Sequence, residues 1–303
     1  MSGGPLVCVV GSLNEDTTLR VPGLPRPGET VLATGSFRAP GGKGANQAAA
    51  AAVLGRSRGA SVAMVGAVGS DDAGERSVAA LAAGGVDVAG IRRLDIVPTG
   101  TAVVVVDDAG ENHIVVDPGA NDALTADEVE KAVGDLRPAV VLAQLEVATA
   151  CIEAAARAVP EARVILNPAP MPADAADVRA LLDRVDVLVP NQAELGRLAG
   201  RPTPRTPDEV ASCVAALGFA GDVVVTMGAH GAYVAPRDAA AHHVPAEPVD
   251  AVDTSGAGDV FAGCLAVALA TGADLVAAVT EANRAAGRST EVAGARVPAD
   301  FTG

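Results

Sequence analysis

Tryptophan is absent from this 303-residue chain, tyrosine occurs once and phenylalanine four times. A core without large rings must be built from small side chains, chiefly Ala and Val, and half of the residues are apolar. The same scarcity leaves any nucleotide pocket without obvious aromatic stacking partners. Lysine is nearly missing too: Lys43 and Lys131 are the only two, and the formal net charge is −15. So acidic a chain repels nucleic-acid backbones and anionic membranes, which excludes both as partners. If it handles phosphate, the charge must be met by backbone amides, metal ions and a few arginines.

Other signals are lacking. Cys8, Cys151, Cys213 and Cys264 form no C-x-x-C pair, so they read as reduced thiols of a cytoplasmic protein. His113, His230, His242 and His243 lack zinc-ligand spacing. The longest apolar run, Val260 to Ala273, falls short of the ~20 residues of a membrane span. The opening "MSGGPLVCVVG" has no basic segment, so no secretory leader is expected. Neither a Walker A sequence nor G-x-G-x-x-G occurs. No internal repeat or low-complexity linker divides the chain.

What remains is an alternation of short Val/Ile/Leu strands with Ala-rich helical stretches. Strands are expected at 6–10, 61–65, 139–143, 163–166, 185–189 and 223–226. Helices are expected at 42–54, 72–83, 126–133, 150–158, 192–199 and 207–217, with another after residue 256. Continuous apolar strands between helices imply a doubly wound, mostly parallel α/β sheet covered on both faces. Residues 13–39 and 91–117 break the rule. They read as extended pairs without helices, with a turn at 107–110, and so as a small discontinuous β-sheet. The expectation is one α/β domain over 1–303, with that sheet either a lid over a cleft or an edge or dimerisation sheet.

Several strand ends carry polar groups. In "GSLNEDTTL", Asn14 and Asp16 are two apart and point to one side of an extended chain. Such a pair can grip neighbouring hydroxyls, and it is equally an ordinary polar loop. In "APGGKGANQAAAAAVLG", Gly41 and Gly42 allow close backbone approach to a ligand ahead of a helix carrying Asn46. A glycine turn with a helix cap reads the same way. Glu146 stands just past a strand in "LAQLEV". Asn191 and Glu194 in "VPNQAEL" share a face of a first helical turn. Their oxygens suit a water-rich Mg²⁺ site, and a capping box has the same spacing. "VVVTMGAHGAYV" places Thr226, Gly228 and Gly231 after another strand.

The late stretch "VDTSGAGDVFAG" bears most directly on chemistry. The amides of Gly256, Ala257 and Gly258 at a helix start can form a concave donor cluster for a phosphoryl oxygen. Asp259, in the same turn, can accept a proton from a hydroxyl beside that phosphate. Helix capping alone also explains a carboxylate there.

Taken in order, these stretches resemble the ribokinase family of sugar kinases (the PfkB group). The resemblance rests on "GGKGANQA" at 41–48 and "DTSGAGD" at 253–259. It is supported by "NED" at 14–16, "PRPGET" at 25–30, "GSDDAGE" at 69–75 and "PGAND" at 118–122. "QLE" at 144–146, "NPAP" at 167–170, "PNQAE" at 190–194 and "TMGAHG" at 226–231 complete it. It covers residues 6–298.

The resemblance implies a doubly wound α/β domain with a β-sheet lid that often forms a homodimer interface. It implies ATP-dependent phosphorylation of D-ribose at the 5-hydroxyl, or of another pentose or a nucleoside. A non-catalytic sugar-binding protein is the reading from a different class. By position, Asp259 is then the catalytic base, with Gly256, Ala257 and Gly258 as anion hole. Asn14, Asp16, Gly42, Lys43, Asn46 and Glu146 would contact the sugar beneath the lid residues Ala102 and Val104. Asn191, Thr226, Gly228, Gly231, Gly258 and Asn283 would line the nucleotide site, with Asn191 and Glu194 holding Mg²⁺ through water. Asp253 and the carbonyls of Ser255, Ser289, Val292 and Gly294 match a monovalent-cation site, usually for K⁺. Two departures stand out: "GARVP" at 294–298 is shorter than the family's cation loop, and the sequence stops at "ADFTG" where members commonly continue into a helix.

Overall fold

The computed structural model describes residues 4–295 and Phe301. The first half of the chain runs β1 (Leu6–Val10), β2 (Asn14–Val21), β3 (Gly35–Gly41), α1 (Lys43–Arg56), β4 (Ser61–Gly69), α2 (Asp72–Ala83), β5 (Asp87–Leu94), β6 (Gly100–Asp107), β7 (Asn112–Asp117) and α3 (Ala126–Leu136). The second half runs β8 (Val140–Gln144), α4 (Thr149–Ala158), β9 (Arg163–Asn167), α5 (Ala176–Leu181), β10 (Val187–Leu188), α6 (Gln192–Ala199), α7 (Pro207–Leu217), β11 (Asp222–Thr226), β12 (Ala232–Ala235), β13 (His242–Val244), α8 (Ala257–Ala270) and α9 (Leu275–Ser289).

Nine strands form one sheet in the order β13-β12-β11-β10-β9-β8-β1-β4-β5. All pair in parallel except β12 and β13, which close one edge antiparallel. Alternation along β1 shows why both faces are covered. Val7 and Val9 pack with α1, α8 and α9, whereas Cys8 and Val10 pack with α3, α4 and α5. The doubly wound expectation holds. No helix among the described residues is long and apolar enough to cross a membrane.

The scarcity of large side chains lets helices approach closely. In α1 the core is built from Ala45, Ala48, Ala50, Ala51 and Ala52, and Gly263 of α8 lies against Ala50 and Ala51. A Cβ on Gly263 would lie 2.7 Å from the carbonyl oxygen of Gln47 and 2.9 Å from the amide nitrogen of Ala51. The two helices therefore meet backbone to backbone at that point.

A second sheet of four strands stands in the order β3-β2-β6-β7. Its extent differs from the expected 13–39 and 91–117. β5 belongs to the large sheet, paired in parallel with β4, so residues 87–94 are no part of the small one. Only β6 and β7 come from the second segment. The misreading has a simple origin: no helix follows β5, so the chain crosses directly into β6. Four further elements carry no clear sequence signal, namely β12, β13, the six-residue α5 and the long α9. The small sheet's register places Asn14, Asp16 and Thr18 of β2 opposite Gly100, Ala102 and Val104 of β6. These residues share one face, and further out Phe37, Ile114 and Val116 of the flanking strands lie exposed on it.

Candidate active site

The first turn of α8 carries the site's deepest charge. Gly256 caps the helix with φ 73° and has no side chain to offer. A Cβ there would lie 2.3 Å from the carbonyl oxygen of Ala295, so the position admits only glycine. The amide of Ala257 makes a long 3.3 Å contact to the carbonyl of Thr254, while those of Gly256 and Gly258 have no partner among the described residues. Orphan amides at a helix start suit an anion.

Asp259 follows in that turn and is 6% exposed. Its Oδ1 accepts from Gln47 Nε2 at 3.0 Å and its Oδ2 from Asn46 Nδ2 at 3.4 Å. Burial pushes its carboxyl above the ordinary aspartate range, opposed by the positive charge of Lys43 and these amide donors. Glu146 adds a smaller push upward.

The start of α1 faces this carboxylate. Gly42 has φ 88°, and a Cβ there would crowd the amide nitrogen of Asn14 at 2.8 Å. Capping is supplied from elsewhere in the chain. Glu146 Oε2 accepts from the Lys43 amide at 2.9 Å and from the Ser12 hydroxyl. The carbonyl of Ser12 accepts from the Ala45 amide at 2.9 Å, and its hydroxyl from Gly44 at 3.3 Å. A carboxylate near these amides is favourable. Glu146 thus has a structural task that the sequence did not announce, and Ser12 was missed altogether.

Asn14, near the junction of the two sheets, is buried. Its Oδ1 accepts from Asn121 Nδ2 at 2.8 Å, and Asn121 also pairs with the backbone of Leu13 in both directions. Asp16 lies next along β2, close over Gly41, where a Cβ would meet its carboxylate within 2.3 Å. Ala102 sits across from Asp16, and Val104 lies farther out opposite Thr18. Asn121, like Ser12, Gln47, Gln144 and Asn167, is a buried or half-buried polar residue that sequence reading left unassigned.

A cleft of about 550 Å³ opens beside Asp259. Lys43, Asn191, Glu194, Thr226, Gly228, Gly256, Gly258 and Asp259 line it, joined by Asn167 and Thr203. The structure therefore brings most of the expected nucleotide-side residues together. It does not bring Gly231 or Asn283 to this lining. Gly231 is held by a close backbone approach to Val244, and Asn283 Nδ2 donates to the Val244 carbonyl at 3.1 Å. Asn283 thus ties down β13, and Gly231 lies close against it.

Asn191 and Glu194 do form a capping box: Asn191 Oδ1 accepts from the Glu194 amide at 2.9 Å and Glu194 Oε2 from the Asn191 amide at 2.8 Å. That leaves Glu194 Oε1 without a hydrogen-bond partner among the described residues. Burial raises the Glu194 carboxyl, with the Asn191 amide and Lys43 opposing. Among the described residues no cluster of three His, Cys, Asp or Glu could bind a metal by itself. The donor set fits a hydrated Mg²⁺ that takes most of its other ligands from phosphate.

The expected cation residues gather round one loop. Asp253 Oδ1 accepts from the Ser255 amide and Oδ2 from the Gly294 amide, each at 2.9 Å. Burial opposes it, but these two amides hold the Asp253 carboxyl below its usual range. Ser289 is buried at the end of α9, and its carbonyl faces the Val292 amide at 3.4 Å. Residues 296–300, which include most of the shortened "GARVP", lie outside the described residues.

Comparison with known proteins agrees with this geometry. The family model described as "pfkB family carbohydrate kinase" matches residues 5–301. Ribokinase of Bacillus subtilis is 36% identical over 290 residues, covering 93% of this chain and 92% of that protein. Deoxyribokinase of Salmonella typhi is 34% identical, covering 91% and 89%. The structure of Arabidopsis thaliana ribokinase complexed with ribose and ATP superposes with a TM-score of 0.86 at 33% identity, over 96% of this chain and 94% of that one.

Proposed function

The chain belongs to the pfkB family of carbohydrate kinases, and from that premise we propose that it transfers the γ-phosphoryl group of ATP to the 5-hydroxyl of D-ribose. One observation carries the reading. A buried carboxylate, Asp259, stands in the same helical turn as the amides of Gly256 and Gly258, which have no partner among the described residues, and opens onto a cleft. In this reading Asp259 orients the sugar's primary hydroxyl and takes its proton. The α8 amides stabilise charge that develops on the phosphoryl group in transfer.

The sugar would lie between α1 and the small sheet. Asn14 Oδ1 is already taken by Asn121, so Asn14 offers only donors while Asp16 offers only acceptors. A donor and an acceptor side by side suit the vicinal hydroxyls of a free pentose. Gly42, Lys43, Asn46 and Glu146 would complete that side, with Ala102 and Val104 above. Asn191, Glu194, Thr226 and Gly228 would line the nucleotide side. Gly231 and Asn283 keep a supporting part in this reading through β13.

Mg²⁺ bound with ATP would be held through water by Glu194 and Asn191, and it supplies charge neutralisation on the phosphates. K⁺ would be held by Asp253 and the carbonyls of Ser255, Ser289, Val292 and Gly294. The exposed apolar face of the small sheet, Phe37, Ile114 and Val116, supports a homodimer through that sheet. The sheet then acts as a lid over the sugar. Buried free cysteines support a cytoplasmic setting.

Deoxyribose is the second reading, and the Salmonella typhi relative favours keeping it. Coupled assays with ATP across D-ribose, 2-deoxyribose, other pentoses and nucleosides test both. The expected result is the highest kcat/KM for D-ribose. A higher value for deoxyribose or a nucleoside would replace the substrate, and ATP turnover with none of them would leave a sugar-binding protein.

A further inference from the structure

A chain of three buried or half-buried amides runs up to Asp259, and its polarity can be read from one end. Asn167 Nδ2 donates to the Val189 carbonyl at 2.9 Å, an atom that can only accept. Asn167 Oδ1 must therefore face the other way, toward Gln47. There Gln47 Nε2 donates to it at 3.1 Å and, with its second hydrogen, to Asp259 Oδ1 at 3.0 Å. Gln47 Oε1 is left to accept from Gln144 Nε2 at 2.6 Å. Each link fixes the next.

The far end carries the cost of this arrangement. Gln144 Oε1 is buried and has no hydrogen-bond partner among the described residues. It points at Gly11, where a Cβ would lie 2.0 Å from it. A flip of Gln144 would set that oxygen against Gln47 Oε1, and a Gln47 that turned in response would present its oxygen both to Asp259 and to Asn167 Oδ1, which the Val189 carbonyl holds in place. An amide oxygen against a carboxylate is tolerable only if the carboxylate is protonated. An unpaired carbonyl at Gly11 is thus the counterpart of a donor at Asp259. Both glutamines are fully buried, and neither lines the cleft beside Asp259.

We propose that Gln47 and Gln144 are positioning residues for phosphoryl transfer: Gln47 clamps Asp259 Oδ1 in the ionised state and leaves Oδ2 for the acceptor hydroxyl, and Gln144 holds Gln47 in the orientation that permits this. The inference rests on Asp259 being the base. Burial already biases Asp259 toward protonation, and of the charged groups around it Lys43 opposes that bias while Glu146 and Glu194 reinforce it. Removing the Gln47 donor leaves Lys43 and the longer Asn46 contact to hold the charge.

The test is the pH profile of kcat/KM for D-ribose in Gln47→Met and Gln144→Met, with Asp259→Asn alongside. Met keeps the length of the side chain and removes its donor. Gln47→Met is expected to move the acid limb upward by about one unit. It is expected to lower kcat at neutral pH by roughly tenfold, with KM for the sugar within about twofold of wild type. Gln144→Met should move the limb the same way by less. A loss of kcat with an unmoved acid limb, or profiles that superpose on wild type, overturns the proposal while an inactive Asp259→Asn keeps the base. Turnover surviving in Asp259→Asn removes the base reading and the proposal with it. If circular dichroism shows Gln47→Met unfolded, Gln144→Met decides alone: that change deletes one unpaired buried oxygen and leaves another, Gln47 Oε1, so the two effects on the fold offset.

Discussion

Asn121 donates its side-chain amide to Asn14 Oδ1 at 2.8 Å while pairing with both the amide and the carbonyl of Leu13. One residue from "PGAND" thereby ties the loop after β1 and sets which way the Asn14 amide points. Replacing it by Leu leaves two buried backbone groups without partners, at about 1–3 kcal/mol each. Asn121→Leu should lower the melting temperature by several degrees. It should also raise KM for D-ribose by about tenfold, through a freely flipping Asn14, with a smaller effect on kcat. Thermal unfolding and steady-state kinetics on one preparation check both.

With Asp259 as the proposed base, activity and stability should depend on pH with opposite signs. Its folded-state carboxyl is raised by burial, so turnover should fall as pH drops through a value above the ordinary aspartate range. A group raised in the folded state favours folding when protonated and disfavours it when ionised. Asp259→Asn should therefore melt higher than wild type at neutral pH, with the gain shrinking toward acid. Its kcat should drop by roughly 10²–10⁴. Melting curves at neutral and acid pH, read beside kcat, test the pair of signs.

Gly256 and Gly258 are two residues apart and should fail differently. A Cβ on Gly256 meets the Ala295 carbonyl at 2.3 Å on a backbone with φ 73°, so Gly256→Ala should destabilise the fold by at least about 1–2 kcal/mol and abolish turnover. A Cβ on Gly258 meets nothing within 4 Å and projects where the cleft opens. Gly258→Ala should keep the wild-type melting temperature and lower kcat/KM for ATP. Equal loss of stability in both would contradict this geometry.

The exposed residues Phe37, Ile114 and Val116 share a face with Asn14 and Asp16. If a second copy covers that face, Ile114→Glu should yield a monomer by light scattering and raise KM for the sugar. A wild-type chain that is monomeric at all accessible concentrations would remove the dimer.

The sequence made much of this readable, for a physical reason. β1 falls where its apolar run ends at Gly11, and α1 follows from an Ala-rich stretch behind a glycine turn. Asp259 stood out by its company: helix electrostatics alone explain an acidic residue in a first turn, and it is the accompanying motifs in order that point to chemistry. The small sheet was located but not bounded, since β5 is edge-like in pattern and only its pairing with β4 assigns it. β12 and β13 are short and partly polar, which a loop also is. Gln47, Gln144 and Asn121 escaped for another reason. Their partners lie about a hundred or more residues away along the chain, and nothing local distinguishes them from ordinary polar positions.

Gly263 carries a consequence for motion. Because α1 and α8 touch through their main chains there, the two segments that the proposed reading assigns to the acceptor and to the migrating phosphate would hold together as one solid jig. In that reading the gap between reactants is machined at folding rather than adjusted in each cycle, and substrate entry falls to the four-stranded sheet as the proposed lid. A bulkier residue at 263 would pry the jig apart, lengthening the jump the phosphorus must make while leaving every ligand-touching group intact.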